Sequence, residues 1–303
     1  MPKHKFSKME YDLVILGAGC AGLACAIEAA ERGGSVIVLE KMARPFGNIL
    51  FAGGIIAAAG SKHQNAQDIN EEVETFYSDL MKVSQQRGDP DLVRVYAEKS
   101  GEAIDWLSDT VGVEWSPIIV RQHLLKSRGH QVKASRISGG AQLFKNLLSA
   151  AAKRKIPIIY KSTALELLSN SRLEISGVRV LLEGGVKDYL VKGGVVLATG
   201  GFHANRDLVK DYIGGWASKM PFRGSRANTG ENIILTRPLK PKLVNMDQFH
   251  GGPIHGPTKA NPSSMVNYGI CVTPAGNRYV NEGWTYVRIG KETALKTSGN
   301  LTS

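Results

Sequence analysis

The sequence predicts an α/β fold built on a parallel sheet, and three observations predict it. Residues 11–16 (YDLVIL) and 35–39 (SVIVL) are short, nearly continuous apolar runs with the β-branched content of buried parallel strands. The segment between them places glycines at Gly17, Gly19 and Gly22, then continues as LACAIEAAERG, which reads as a helix ended by Gly33 and Gly34. A third buried run, 195–202 (VVLATGGF), likewise breaks off at a pair of glycines. Strand, helix and strand in this order form the βαβ unit of a parallel sheet.

Each part of the first unit has a physical task. Gly17 permits the tight turn out of the strand, Gly19 lets the backbone approach a pyrophosphate, and Gly22 lets the helix pack on the strand. Free amides at the helix start, with the helix dipole, favour an anion. Glu40, about 20 residues after the first glycine, can accept hydrogen bonds from a ribose diol. An acidic residue there favours a free 2′-hydroxyl, and so FAD or NAD rather than NADP. The alternative is a glycine-rich turn with no ligand. The two strands, the helix and the acid, all in register, favour the dinucleotide.

Composition excludes several classes. The chain has 303 residues, 43% hydrophobic and 21% charged, which is globular usage and rules out disorder, collagen and low complexity. The net charge is +11, but Lys and Arg are scattered. Their densest clusters, 3–8, 153–155 and 237–242, do not alternate with aromatics, so a basic surface is favoured over a nucleic-acid site. Three cysteines (Cys20, Cys25, Cys271) without a CxxC pair predict a reducing, cytoplasmic setting. The N-terminal residues carry no apolar signal core, and no apolar run approaches the ~20 residues of a membrane span.

Residues 44–59 decide between the dinucleotides. Instead of a second βα unit, the chain presents a glycine- and alanine-rich loop in which backbone can lie against a flat ring. With Gly47, Asn48, Gly53 and Gly54, this loop resembles the flavin-side segment of the fumarate reductase and succinate dehydrogenase flavoprotein family. Phe46 stands where that family usually has a glycine. Residues 195–202, 245–254 (NMDQFHGGPI) and 270–282 (ICVTPAGNRYVNE) extend the resemblance, which is nearest in flavour to the tricarballylate dehydrogenase branch. The resemblance implies a Rossmann-like FAD-binding domain with a β-meander and a helical insertion, plus a partial α+β capping domain. It implies FAD held by Gly17, Ala18, Gly19, Ala21, Gly22, Glu40 and Lys41, then by Gly47, Asn48, Gly53 and Gly54, and finally by Ala164, Thr199 and Gly200.

The domains are expected at 8–250 for FAD binding and 251–303 for the partial cap, the junction being placed where His, Gly, Pro and Asn rise together. A helical insertion is expected at about 65–135, with Asp89 capping a helix that has Pro90 in its first turn. A further helix is expected over 138–155. A meander is expected at about 156–192, with runs IPIIY, ALELL, LEISGVRVLLE and KDYLVK and a hairpin turn at Gly184 and Gly185. Gly230-Glu231-Asn232 stands where the family has a GDG-like turn, and Pro238 and Pro241 interrupt the helix that follows. The tail after Gly290 is polar and reads as frayed, and the family's remaining cap and return to the FAD domain would lie beyond Ser303.

By resemblance the chain is an FAD-dependent oxidoreductase that moves a hydride between flavin N5 and a small anionic carboxylate, with its electron partner unspecified. The protein's part is to hold the substrate, polarise it and deliver a proton. His250 would bind the substrate carboxylate or carbonyl, and His255 is a second candidate. Arg288 resembles the family's proton-delivering arginine, although a guanidinium more ordinarily clamps a carboxylate. Arg278 reads as structural beside Glu282, and Cys20 as a spacer in the phosphate loop. His63 is a poor match for a covalent flavin link. No metal site is expected, because His250 and His255 lack a third ligand at a sensible spacing. Two alternatives remain open: a catalytically incomplete FAD-binding fragment, and a flavin dehydrogenase of another class, such as one acting on 3-ketosteroids.

Overall fold

A computed structural model describes residues 9–117, 120–122, 126–222, 224–252, 269–284 and 286–296. Strand β1 (Met9–Leu16) leads through the glycine turn into helix α1 (Cys20–Glu31) and back into β2 (Val36–Leu39). The two strands pair in parallel, with Leu16 opposite Leu39. Successive side chains on a strand face opposite ways. Accordingly Ile15, Val36 and Val38 enter one core, while Val14, Leu16, Ile37 and Leu39 enter another on the sheet's far side. That double burial explains why both strands read as unbroken apolar runs.

A short 3-10 turn (Asn48–Phe51) and strand β3 (Ile55–Ala57) open the insertion. Helices α2 (Lys62–Asn65), α3 (Val73–Val83) and α4 (Pro90–Asp109) follow. Asp89 caps α4 by accepting from the Asp91 and Leu92 N–H groups at 3.1 and 3.2 Å. The insertion is helical only this far. Residues expected to continue it form β4 (Val120–Gln122) and β5 (Lys126–Gln131), which pair with β3 in a three-stranded antiparallel sheet. The β5 sequence, KSRGHQ, has no apolar alternation to announce a strand. Its anchors are polar instead. Arg128 is fully buried between Glu71 and Asp79, at 2.5 and 2.7 Å, and His130 is fully buried with Nε2 2.7 Å from the Ser61 Oγ.

Helix α5 (Gly139–Lys153) starts at Ser138, whose Oγ accepts the Ala141 N–H at 3.2 Å. Its Leu143, Phe144 and Leu147 fill the core shared with α1. Strand β6 (Ile158–Ile159) then joins β2 in parallel, so the first run expected in the meander is instead the edge of the parallel sheet. The meander proper is β7 (Thr163–Ser169), β8 (Ile175–Leu182) and β9 (Gly185–Leu197). The last meander run and the strand leading to Thr199 are one element: β9 pairs antiparallel with β8 and parallel with β1. The six-stranded order is β6-β2-β1-β9-β8-β7.

The chain divides into two compact units. The described residues of 1–201 and 224–240 form the first, and those of 202–223 and 241–303 form the second. Helix α6 (Arg206–Tyr212) belongs to the second. Helix α7 (Glu231–Thr236) belongs to the first and stops after six residues, in a 3-10 turn that contains Pro238. Helix α8 (Tyr286–Lys296) lies in the second and corrects the frayed-tail expectation up to Lys296. Ile289 and Ala294 on it are buried, so a polar stretch was still able to form an amphipathic helix. No helix among the described residues is long and apolar enough to cross a membrane.

Candidate cofactor-binding site

Strands β1, β2 and β9 end on Leu16, Leu39 and Leu197, and a cavity of about 420 Å³ opens just beyond all three. Ligands of open parallel sheets bind at such carboxyl ends. The cavity lies entirely within the first unit.

Its floor is the glycine turn. Gly17 has φ +105°, and a Cβ there would stand 2.5 Å from the Ala198 carbonyl oxygen. A Cβ at Gly22 would stand 1.9 Å from the Gly17 carbonyl oxygen, so only glycine lets α1 sit this close to the turn. Gly19 is the N-cap of α1 and supplies no capping side chain, and the first turn holds no acidic residue. The first amides of α1 are therefore left for an external anion, and Gly19, Cys20 and Ala21 all line the cavity.

Glu40, 5% exposed, is fixed by backbone. Its Oε2 accepts the Ala18 N–H and its Oε1 the Met42 N–H, both at 2.8 Å. Each oxygen keeps a lone pair for a further donor such as a ribose hydroxyl. Lys41 donates to Thr229 Oγ1 at 3.0 Å and forms an ion pair with Glu231, which also accepts from the Thr229 hydroxyl. Burial works to raise the Glu231 carboxyl pKa. The Lys41 ammonium and the Thr229 hydroxyl outweigh it and hold the group below its ordinary value. Asn48 accepts the Ser225 N–H at 2.6 Å and so ties the flavin-side loop to the segment before α7.

Ten of the residues expected to contact a cofactor line this cavity: Gly17, Gly19, Ala21, Glu40, Lys41, Gly47, Asn48, Ala164, Thr199 and Gly200. Ala18 and Gly22 are buried just beneath the turn. Gly53 and Gly54 lie elsewhere. Gly53 accepts from Gln131 Nε2 at 2.9 Å, and a Cβ at Gly54 would fall 2.3 Å from the Gly139 carbonyl carbon at the start of α5. His250 and Arg288 lie in the second unit, both exposed, with the Arg288 guanidinium 3.6 Å from the Trp284 ring centre. His255 lies outside the described residues. Arg278 pairs with Glu282, which also accepts the Cys271 N–H at 2.7 Å. The Arg278 hydrogen bond leads in pushing the Glu282 carboxyl down to about 2.

Sequence reasoning passed over Ser162, Thr163, Ala227 and Asn228, which also line the cavity. The first two adjoin Ala164 and could have been inferred from it. Nothing local marks Asn228, which comes to the wall because Gly200 has no side chain: a Cβ there would lie 2.6 Å from the Asn228 Nδ2.

The cavity fits a dinucleotide on its own chemistry. Thr199 and Glu231 line it, and their Oγ1 and Oε2 are buried without a hydrogen-bond partner. Such atoms are costly unless a ligand or water meets them. Uncapped amides for a diphosphate, Glu40 for a ribose and two orphan oxygens for further hydroxyls are the donors and acceptors FAD would use.

Comparison with known proteins agrees. The sequence pattern of the FAD binding domain family matches residues 12–294. The chain is 30% identical over 281 residues to the NADH:fumarate oxidoreductase of Klebsiella pneumoniae (strain 342), which covers 90% of this chain and 29% of that protein. It is thus similar to less than a third of that relative's length. Among solved structures, a flavocytochrome c3 fumarate reductase in its open conformation superposes with a TM-score of 0.82 at 25% identity, covering 95% of this chain and 51% of that one. The 3-ketosteroid-Δ4-(5α)-dehydrogenase of Rhodococcus jostii RHA1 superposes with a TM-score of 0.81, also at 25% identity, covering 96% and 65%.

Proposed function

This chain belongs to the FAD binding domain family, and on that premise we propose that it holds FAD for hydride transfer to or from a small carboxylate substrate of the fumarate and succinate kind. The observation that carries the proposal is the cavity beyond β1, β2 and β9, where uncapped helix amides, Glu40 and two orphan oxygens converge. FAD, when bound, supplies a hydride donor and acceptor at flavin N5. The phosphate loop would fix the diphosphate, Glu40 a ribose, and Thr199 with Glu231 further hydroxyls. Likeness to the fumarate oxidoreductase supports the substrate class. Residues 251–303 would contribute to a substrate cap. There Arg288 would clamp a carboxylate, while His250, just before the cap, and His255 would hydrogen-bond it or its carbonyl. The three free cysteines fit a reducing, cytoplasmic setting.

The test has two stages. Purified chain is first titrated with FAD, and a bound, yellow protein is expected. It is then given a reduced viologen dye with fumarate. Dye oxidation that depends on fumarate and falls at least tenfold in Arg288→Ala supports the proposal. FAD binding without turnover leaves the chain as a flavin-holding part and removes the catalytic assignment. A steroid substrate is the second reading, favoured by the match to the ketosteroid dehydrogenase. Turnover of 4-androstene-3,17-dione with no response to fumarate would select it.

A further inference from the structure

Among the residues lining the cavity, Phe46 is the single aromatic. Its surroundings limit where the ring can go. Gly47 lies against the phosphate loop, where a Cβ would come 3.6 Å from the Gly19 Cα. One residue further, Asn48 is tethered to the Ser225 N–H at 2.6 Å. On the ring itself, Phe51 meets Phe46 edge-on, with centroids 5.9 Å apart and planes at 86°. The backbone beyond Phe46 is therefore held on both sides of the cavity, and the ring is braced by a second aromatic while still lining the wall. The rest of the apolar wall (Leu16, Leu39, Ile49, Leu197) is aliphatic and offers no π face.

We propose that Phe46 is a cofactor-seating residue whose ring packs against one of the two flat heteroaromatic rings of bound FAD and sets how tightly the dinucleotide is held. The inference rests on the FAD assignment and deepens it. Both ends of FAD are planar π systems, and an aromatic partner adds to affinity beyond what its buried area supplies. The edge contact with Phe51 limits the positions open to the ring on one side, which reduces the freedom to be lost on binding.

The experiment titrates the full chain with FAD, followed by calorimetry and flavin fluorescence, in wild type, Phe46→Gly and Phe46→Trp. Phe46→Gly is expected to raise the FAD Kd about three- to tenfold. Phe46→Trp is expected to keep the affinity and to add indole emission that FAD quenches beyond the wild-type level. Separate titrations with ADP and FMN identify the ring: the fragment whose binding weakens in Phe46→Gly is the one Phe46 packs on. Wild-type FAD affinity in Phe46→Gly, with neither fragment weakened, overturns the proposal. If Phe46→Gly does not fold, Phe46→Trp decides, and no added quenching overturns it. A wild-type chain that takes up no FAD overturns the cofactor assignment and the proposal together, which is a different outcome from an unchanged variant.

Discussion

Replacing Gly22 with alanine tests the cavity's floor directly. The new Cβ would sit 1.9 Å from the Gly17 carbonyl oxygen and 3.3 Å from the Ala198 Cβ. Real Cβ contacts essentially never fall below 3.0 Å, so α1 and the glycine turn must separate by at least ~1.1 Å. The atom in the way is backbone, and no flexible side chain can swing aside. Overpacking of this kind costs about 1–3 kcal/mol of stability. The same shift draws the amides at Gly19, Cys20 and Ala21 away from a bound diphosphate. Losing one hydrogen bond to a charged group costs about 1.5–3 kcal/mol, which is about ten- to a hundredfold in the FAD Kd. Calorimetric titration with FAD and thermal melts of Gly22→Ala measure both effects. Gly184→Ala is the control, since a Cβ there meets nothing within 4 Å and should change neither quantity. Should Gly22→Ala bind FAD within about twofold of wild type and melt with it, close seating of α1 on the turn would not be what positions the anion site.

Three further outcomes are expected. Cys20 lines the cavity and burial pushes its thiol pKa up, so alkylation should be slow near neutral pH, speed up with rising pH, and be blocked by saturating FAD; peptide mapping that finds equal labelling with and without FAD would contradict this placement. Lys41→Met leaves the partly buried Glu231 carboxylate without its cation and should cost about 1–3 kcal/mol in urea melts, more than Glu231→Gln, which removes the charge itself; equal losses would show that an uncompensated Glu231 carboxylate is not the source of the cost. Burial leads in holding the His130 imidazole below its ordinary pKa of about 6.5, so the unfolded chain takes up the proton first as pH falls. Stability conferred by the neutral ring is present above about pH 6.5 and lost below it, at up to about 1.4 kcal/mol per pH unit. Urea midpoints at pH 7.5 and 5.5 check this, and a His130→Gln chain with the same pH slope as wild type would assign the loss to other groups.

The elements that the sequence announced are those whose signal is local. Double burial makes β1 and β2 unbroken apolar runs, and the turn between strand and helix needs glycine at positions 17 and 22 for reasons of φ and contact distance. Asp89 announced its helix because an N-cap bond spans only two or three residues. What stayed hidden depends on partners far along the chain. Strand β5 is polar because its buried side chains are Arg128 and His130, each satisfied by residues about 50–70 positions away. Strand β6 is two residues long and exists through its register with β2, which no local pattern encodes.

The cavity follows the same division, and that explains which of its residues can be trusted from sequence. The phosphate loop and Glu40 are placed by one continuous βαβ unit, and Glu40 is locked to that unit by the Ala18 and Met42 amides. The opposite wall is built from residues around 200 and 230, and it is tied to the first by long-range contacts such as Lys41 with Glu231, which lie 190 positions apart, and Asn48 with the Ser225 N–H. At that wall Glu231 presents its carboxylate to Lys41, while Gly230, at φ +85°, turns the chain into α7. Phe46 differs in kind, because it brings an apolar aromatic residue to the wall rather than a charge. If Glu231 acts by its charge and Phe46 by its ring, FAD titrations of Glu231→Gln and Phe46→Gly separate the two: the first should respond to salt and the second should not.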